Sequence, residues 1–288
     1  MRDLNYQLKG ICNRNKDGSY ATQAARLRNL DLMANQLHNL GFRHLSANGL
    51  KPKHVVALVE HWKKENITVG TVKNRMAHLR WWAEKIGKHD MIPEKNSAYN
   101  IDKRTYVTNK SKAKDLPLDA LEKISDPNIK VSLQLQAAFG LRREECLKFQ
   151  PSFADQGNRI TLKGSWCKGG QQREIPIQNN YQREVLEMAH KIAGRGSMIP
   201  PKLSYIQQVG RYQAECEKAG LSKMHGLRHT YAQTRYLELT GWLAPAAGGP
   251  TSKELTAEQK LKDKEVRLII SEELGHHRES ITAVYLGR

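Results

Sequence analysis

Apolar residues recur every third or fourth position in three stretches of the first third of the chain. They are Leu27, Leu30, Ala34 and Leu37, then Val55, Val59 and Trp62, then Val72, Met76, Leu79, Ala83 and Ile86. That period belongs to one face of an α-helix, so the region from about Ala21 to Gly87 is predicted to be a small helical unit punctuated by Gly41, Gly49, Pro52 and Gly70. Thr71 stands where a cap for the last of these helices is expected, and the leading segment Leu4–Arg14 has room for one more. Adjacent helical residues diverge in direction, so Trp81 and Trp82 read as core rather than as a base-stacking pair. From about Lys88 to Asp115 the periodicity fades among Pro93, Asn96, Ser97, Asn100, Asn109 and Ser111, the pattern of a linker.

Helical periods return over Leu116–Ile124 and Ile129–Phe139. Two short runs, 160–162 and 174–177, read as strands around a loop containing Gly164, Gly169 and Gly170. Further helical segments follow at Gln182–Ile192, Tyr205–Ala219, Leu227–Leu239 and Glu265–Leu274. The predicted fold class is mostly α (α+β). An N-terminal helical domain over residues 1–110, its linker starting near 88, precedes a mixed domain over 111–288 with a small antiparallel sheet. Residues 241–263, a Gly/Pro turn followed by a charged helix-like stretch, read as an insertion.

Charge changes the picture. Lys and Arg number 47 against 29 Asp and Glu, a formal +18, which predicts salt-dependent attraction to a polyanion, nucleic acid first. Residues 1–110 carry 20 basic and 9 acidic side chains, net +11, against 27 and 20, net +7, in the remainder. The four cysteines, Cys12, Cys146, Cys167 and Cys216, lie far apart without a C-x-x-C pair, which excludes a disulfide scaffold and a zinc knuckle. The first twenty residues are polar, with no apolar run of signal-peptide or membrane-span type. A cytoplasmic, nucleoid-associated protein with no membrane partner is expected.

The candidate chemistry ends the chain. Tyr285 follows His276 by nine residues, and a phenol, which loses its proton only near pH ~10, needs cationic neighbours to act as a nucleophile. Arg142 in GLRREEC, His225, Arg228 and His229 in HGLRHTY, and Lys168 in WCKGGQQREIPI supply them. Guanidiniums, imidazoles and an ammonium suit the charge of a five-coordinate phosphodiester transition state, with no carboxylate cluster for a metal. His225 and His229, four apart, mimic half a zinc site, but Gly226 stands where a metalloprotease has Glu. His276 and His277 diverge in direction and lack a third ligand at the right spacing. No metal and no cofactor are expected.

Taken in order, these motifs resemble those of the tyrosine recombinases, the integrases of phages and mobile elements. Gly140, Arg142 and Glu145 match the first arginine box, and Lys168 the hairpin lysine, with Lys163 as its rival. His225 and Arg228 match H-x-x-R; Leu274, Gly275 and His276 match L-G-H; Tyr285 matches the nucleophile. The resemblance spans about half the chain. It implies that Tyr285 attacks a DNA phosphate to give a 3′-phosphotyrosyl link while Arg142 and Arg228 hold its oxygens. His225 and His276 would hydrogen-bond the phosphate, Lys168 would protonate the leaving 5′-oxygen, and Glu145 would support a neighbouring basic group.

The resemblance also implies a DNA-clamping role for the helical domain, to which Lys73, Asn74 and Arg80, the linker residues Lys103 and Arg104, and, in the second domain, Arg173 would add DNA contacts. The partners it implies are double-stranded DNA with specific core sites, three further protomers in a tetramer on DNA, and accessory DNA-bending proteins. Off DNA, a monomer or weak oligomer is expected. Only three residues follow Tyr285, so a C-terminal tail docking onto a neighbour is not expected, nor is an extra N-terminal domain for distal DNA sites. A type IB topoisomerase and a sequence-specific DNA-binding protein with a vestigial site are the competing readings.

Overall fold

The protein is described here by a computed structural model covering residues 2–276 and 278–288. His277 lies outside the described residues, and with it the paired-histidine reading. The chain divides into two compact units, residues 1–105 and 106–288.

Unit 1 consists mainly of α1 (Asp3–Arg14), α2 (Tyr20–Asn39), α3 (Pro52–Lys64) and α4 (Val69–Lys85). Ser19 caps α2 by accepting the Thr22 N–H, and Pro52 starts α3 where a missing donor costs nothing. The cap of α4 is Thr68, which accepts the Thr71 N–H, so Thr71 lies one turn inside the helix. The apolar stripes close on one another through Leu30, Met33, Leu58, Met76 and Leu79. Trp82 is fully buried and donates to the Ala47 carbonyl at 3.0 Å, whereas Trp81 is half-buried, with the Arg26 guanidinium 4.1 Å over its ring. The linker expected from residue 88 starts later. Ile92 is buried, and Met91, Tyr99 and Ile101 pack on the same core, so the lack of an apolar period over 88–101 hid a stretch that belongs to unit 1.

Unit 2 opens with α5 (Leu118–Glu122), α6 (Pro127–Phe139), α7 (Arg143–Lys148) and α8 (Pro151–Ala154). The antiparallel pair β1 (Arg159–Leu162) and β2 (Arg173–Pro176) follows, in register Ile160 to Ile175 and Leu162 to Arg173. Then come α9 (Asn180–Ala193), α10 (Tyr205–Lys218), α11 (Gly226–Thr240), α12 (Ala257–Glu273) and α13 (Glu279–Leu286). The core gathers round α6, whose Ile129, Leu133, Leu135 and Phe139 are fully buried. The 241–263 stretch is packed rather than loose. Ala244 and Leu255 are buried, and Trp242 donates to the Tyr236 hydroxyl at 3.2 Å. Thr256 caps α12 with Gln259 in a reciprocal box, so the helix begins at Ala257, eight residues before the expected Glu265. No helix among the described residues is long and apolar enough to cross a membrane.

Candidate active site

The first arginine box is built by a forced turn. Helix α6 ends at Gly140, with φ +59°, where a Cβ would lie 2.6 Å from the Tyr231 ring. Two residues on, Arg142 precedes α7, and Glu145 in the first turn reaches back to accept its backbone N–H and one guanidinium N–H, both at 2.7 Å. Arg173 faces inward from β2 and closes a bidentate pair on the same carboxylate at 2.8 and 2.7 Å. Arg228 Nη1 stands 4.0 Å from it. Burial pushes the Glu145 carboxyl upward, but the hydrogen bonds and charge of Arg173, with Arg228 and Arg142, more than offset this and hold it at about 2.

Arg228 comes from the first turn of α11 and has no exposed surface. It donates to the Gly140 carbonyl at 2.5 Å and to the Leu274 carbonyl, while its Nε–H has no partner among the described residues. Burial, with Arg142 next, lowers it to about 10, so it stays charged at neutral pH. Its Nη2 lies 3.3 Å from Nε2 of His276, whose Nδ1 lies 3.3 Å from the Thr282 hydroxyl. Burial first, then Arg228, Arg142 and Arg173, bring His276 down to about 3. It is therefore neutral, and a proton on Nδ1 lets Nε2 accept from Arg228.

Tyr285 lies on α13 in the same pocket. Its ring stacks on His276 with centroids 5.4 Å apart, the His229 ring lies tilted against it at 4.5 Å, and the Arg228 guanidinium carbon sits 5.7 Å from its centroid. Its hydroxyl is 3.3 Å from His225 Nε2. The His225 pKa is lowered, by burial and then by Arg228 and Arg142, which favours a neutral ring able to accept a proton. Arg142, Arg228, Glu145, His225, His276 and Tyr285 thus meet in one place.

Lys168 is exposed on the turn between β1 and β2 and lines a cleft of about 300 Å³ with Arg142, Arg173, Gly275 and His276. Its rival Lys163 is committed elsewhere: it donates to Gln150 at 2.6 Å and lies 4.3 Å over the Phe153 ring.

Two residues expected on DNA are used internally. Arg173 is buried, with Nε on the Glu273 carbonyl at 3.0 Å and its other nitrogens on Glu145, so the hairpin turns it toward the core and away from solvent. The period of two along β2, with Arg173 and Ile175 inward and Glu174 outward, carried that signal. Arg80 donates to the Pro93 carbonyl at 3.1 and 2.8 Å and to Asn96 at 2.8 Å, fastening the 88–101 stretch to α4. Lys73 is half-buried, Asn74, Lys103 and Arg104 are exposed, and Arg104 rests against Gly70 near the start of α4. His229, grouped with His225 and Arg228 in the sequence, lies against Tyr285 as well, its ring 4.5 Å from the phenol ring.

The phage integrase N-terminal family matches residues 1–92, and the integrase family matches residues 103–234. The chain belongs to the tyrosine recombinase family. Membership in this family makes it a site-specific DNA recombinase. Solved recombinases share its fold. A lambda integrase dimer bound to a COC′ core site aligns over 98% of this chain and 78% of its own, at TM-score 0.63 and 14% identity. The XerH site-specific recombinase bound to its difH substrate aligns over 98% and 80%, at 0.57 and 15%. The Tn1549 transposon integrase in complex with circular intermediate DNA aligns over 100% and 96%, at 0.57 and 13%. No curated protein sequence matches the chain significantly.

Proposed function

We propose that this tyrosine recombinase cleaves and rejoins DNA through Tyr285. The observation that carries the reading is the phenol hydroxyl 3.3 Å from a neutral-leaning His225, in a pocket walled by Arg228 and His276. The Tyr285 oxygen attacks the scissile phosphorus and its proton passes to His225 Nε2. The bond to the 5′-oxygen breaks, leaving a 3′-phosphotyrosyl ester, and Lys168 protonates the departing 5′-oxygen. Arg142, still partly exposed, takes a non-bridging oxygen, and the Nε–H of Arg228, without a partner among the described residues, is a donor for another. Because Arg228 has no exposed surface beneath the Tyr285 ring, the phosphate must shift that ring to reach it. Attack by a 5′-hydroxyl of the partner strand reverses the step, with the bond energy conserved in the ester.

The domain roles belong to the same reading. Residues 1–110, net +11, clamp DNA, with Lys73, Asn74, Lys103 and Arg104 facing the backbone, and residues 111–288 carry out the chemistry. A lambda integrase tetramer bound to a Holliday junction, which shares the fold at TM-score 0.62 and 15% identity, supports a tetramer on DNA here; DNA-bending accessory proteins and a nucleoid location are part of the same proposal.

The test is covalent capture. A nicked suicide duplex, selected by gel shift from DNA flanking the coding region, should yield a protein–DNA adduct with the parent chain and none with Tyr285→Phe, which should still bind. Adduct persisting in that variant overturns the assignment.

A further inference from the structure

The helix carrying Tyr285 is only eight residues long, so what fixes its far end fixes the attack geometry. That end is held by a segment distant in sequence. Asn109 donates from Nδ2 to the Arg288 carbonyl at 2.7 Å and accepts the Arg288 N–H on Oδ1 at 2.8 Å, the two-point pairing of a β-ladder made by a side chain. Asn109 has φ +48°, a left-handed conformation that asparagine tolerates better than most residues. Gly287, at φ +79°, has no room for a Cβ, which would lie 2.7 Å from both the Asn109 Oδ1 and the Ala246 nitrogen. The Gly287 carbonyl accepts from Arg267 at 2.9 Å.

A second tie reaches the nucleophile itself. The Ser111 hydroxyl donates to Gln233 Oε1 at 3.0 Å, and Gln233 Nε2 donates to the Tyr285 carbonyl at 2.9 Å. Three residues further, Lys114 exchanges hydrogen bonds with Thr230 at 3.0 and 2.6 Å and donates to the Gly226 carbonyl at 3.3 Å. Residues 109–114 are thus laced to α11, which presents Arg228 and is preceded by His225, and to the end of α13, which presents Tyr285.

We propose that Asn109, together with Ser111 acting through Gln233, is a positioning residue for Tyr285: this strap sets where the phenol oxygen stands against the cationic pocket. Neither side chain contacts the reacting atoms. Their removal is felt as lost attack geometry rather than lost DNA affinity. The inference rests on the reading of Tyr285 as nucleophile.

The experiment measures single-turnover adduct formation at saturating protein on the nicked duplex described above, alongside the Kd for that duplex. Asn109→Gly keeps the backbone conformation and deletes the amide. It should slow adduct formation about tenfold or more, as ångström-scale misplacement does, with Kd within about twofold. Asn109→Asp retains the acceptor for the Arg288 N–H and should fall between parent and Gly. Ser111→Ala, at an exposed position, should slow cleavage by a smaller factor with the same unchanged Kd. Parental rates in Asn109→Gly and Ser111→Ala, a loss of affinity matching the loss of rate, or an Asp variant no faster than Gly would each overturn the proposal. Tyr285→Phe separates the layers: adduct in that variant refutes the nucleophile, whereas its absence beside a fast Asn109→Gly refutes the strap alone.

Discussion

Glu145 is the residue on which the pocket turns, because one fully buried carboxylate faces three guanidiniums. Arg173 makes the buried bidentate pair with it, so Arg173→Ala should destabilise the fold by about 3–5 kcal/mol, the usual cost of stranding one buried charge. Denaturant unfolding measures this, and Arg173→Lys should recover only part, since an ammonium cannot make the fork. A variant that instead keeps its stability and loses DNA affinity would return Arg173 to the interface where its sequence position had placed it. His229 gives a second residue-scale expectation. Burial, then His225, Lys112 and Arg228, lower its pKa from 6.5 to about 4, so the folded state favours the neutral ring. Its contribution to stability is complete above about pH 6.5 and is lost as the pH falls toward 4, because the unfolded chain binds the proton first. Thermal unfolding between those values should flatten in His229→Phe, by on the order of 2 kcal/mol across the window. That Arg142, Arg228, His276 and Tyr285 belong together could be read from motif spacing, and the fold brings them into one pocket. The inward turn of Arg173 and the ring contact of His229 depend on which side of a strand or helix faces the core, and a motif does not encode that.

At the scale of elements, the hairpin decides whether Lys168 is delivered. Gly164 lies at the start of the loop, where an added Cβ would overlap the Gly170 carbonyl oxygen, a backbone atom that cannot swing away as a side chain would. Gly164→Ala must therefore push the turn bearing Lys168, and cleavage on the nicked duplex should drop by about tenfold or more while binding persists. Lys168→Ala should show the same loss. A 5′-phosphorothiolate bridge, whose leaving sulfur needs no proton, should rescue the lysine variant in full but the glycine variant only as far as its defect lies in proton delivery. The hairpin was legible because strand residues flanked a glycine-rich loop. Helix α12 was half legible: its apolar stripe is clear from Val266 onward, but its first two turns are polar, and only the Thr256–Gln259 capping pair marks where they begin.

At the scale of the whole molecule, charge is divided unevenly in a way that bears on function. Unit 1, residues 1–105, carries 19 basic and 9 acidic side chains over its length, whereas unit 2 carries 28 and 20 over nearly twice as many residues. Much of the positive charge in unit 2 is spent internally, with Arg173 on Glu145, Arg235 on Glu273 and Arg267 on Asp263. The charge available to a phosphate backbone is therefore denser in unit 1, outside the chemistry. This ordering was visible in composition alone, but the unit boundary at Thr105 was not, because Ile92 and Ile101 join the first core through single apolar residues in a polar stretch that shows no period. Binding and cleavage should consequently separate. Affinity for a duplex should fall by about 10³ to 10⁵ between about 50 and 200 mM salt if six to ten phosphates are engaged. Lys73→Ala should reduce the slope of log affinity against log salt by roughly one and weaken all duplexes alike. Lys168→Ala should leave that slope nearly unchanged while slowing cleavage. Fluorescence anisotropy titrations over a salt series decide it: a slope that responds to Lys168 and not to Lys73 would put the electrostatic footprint on the catalytic unit and reverse the division of labour.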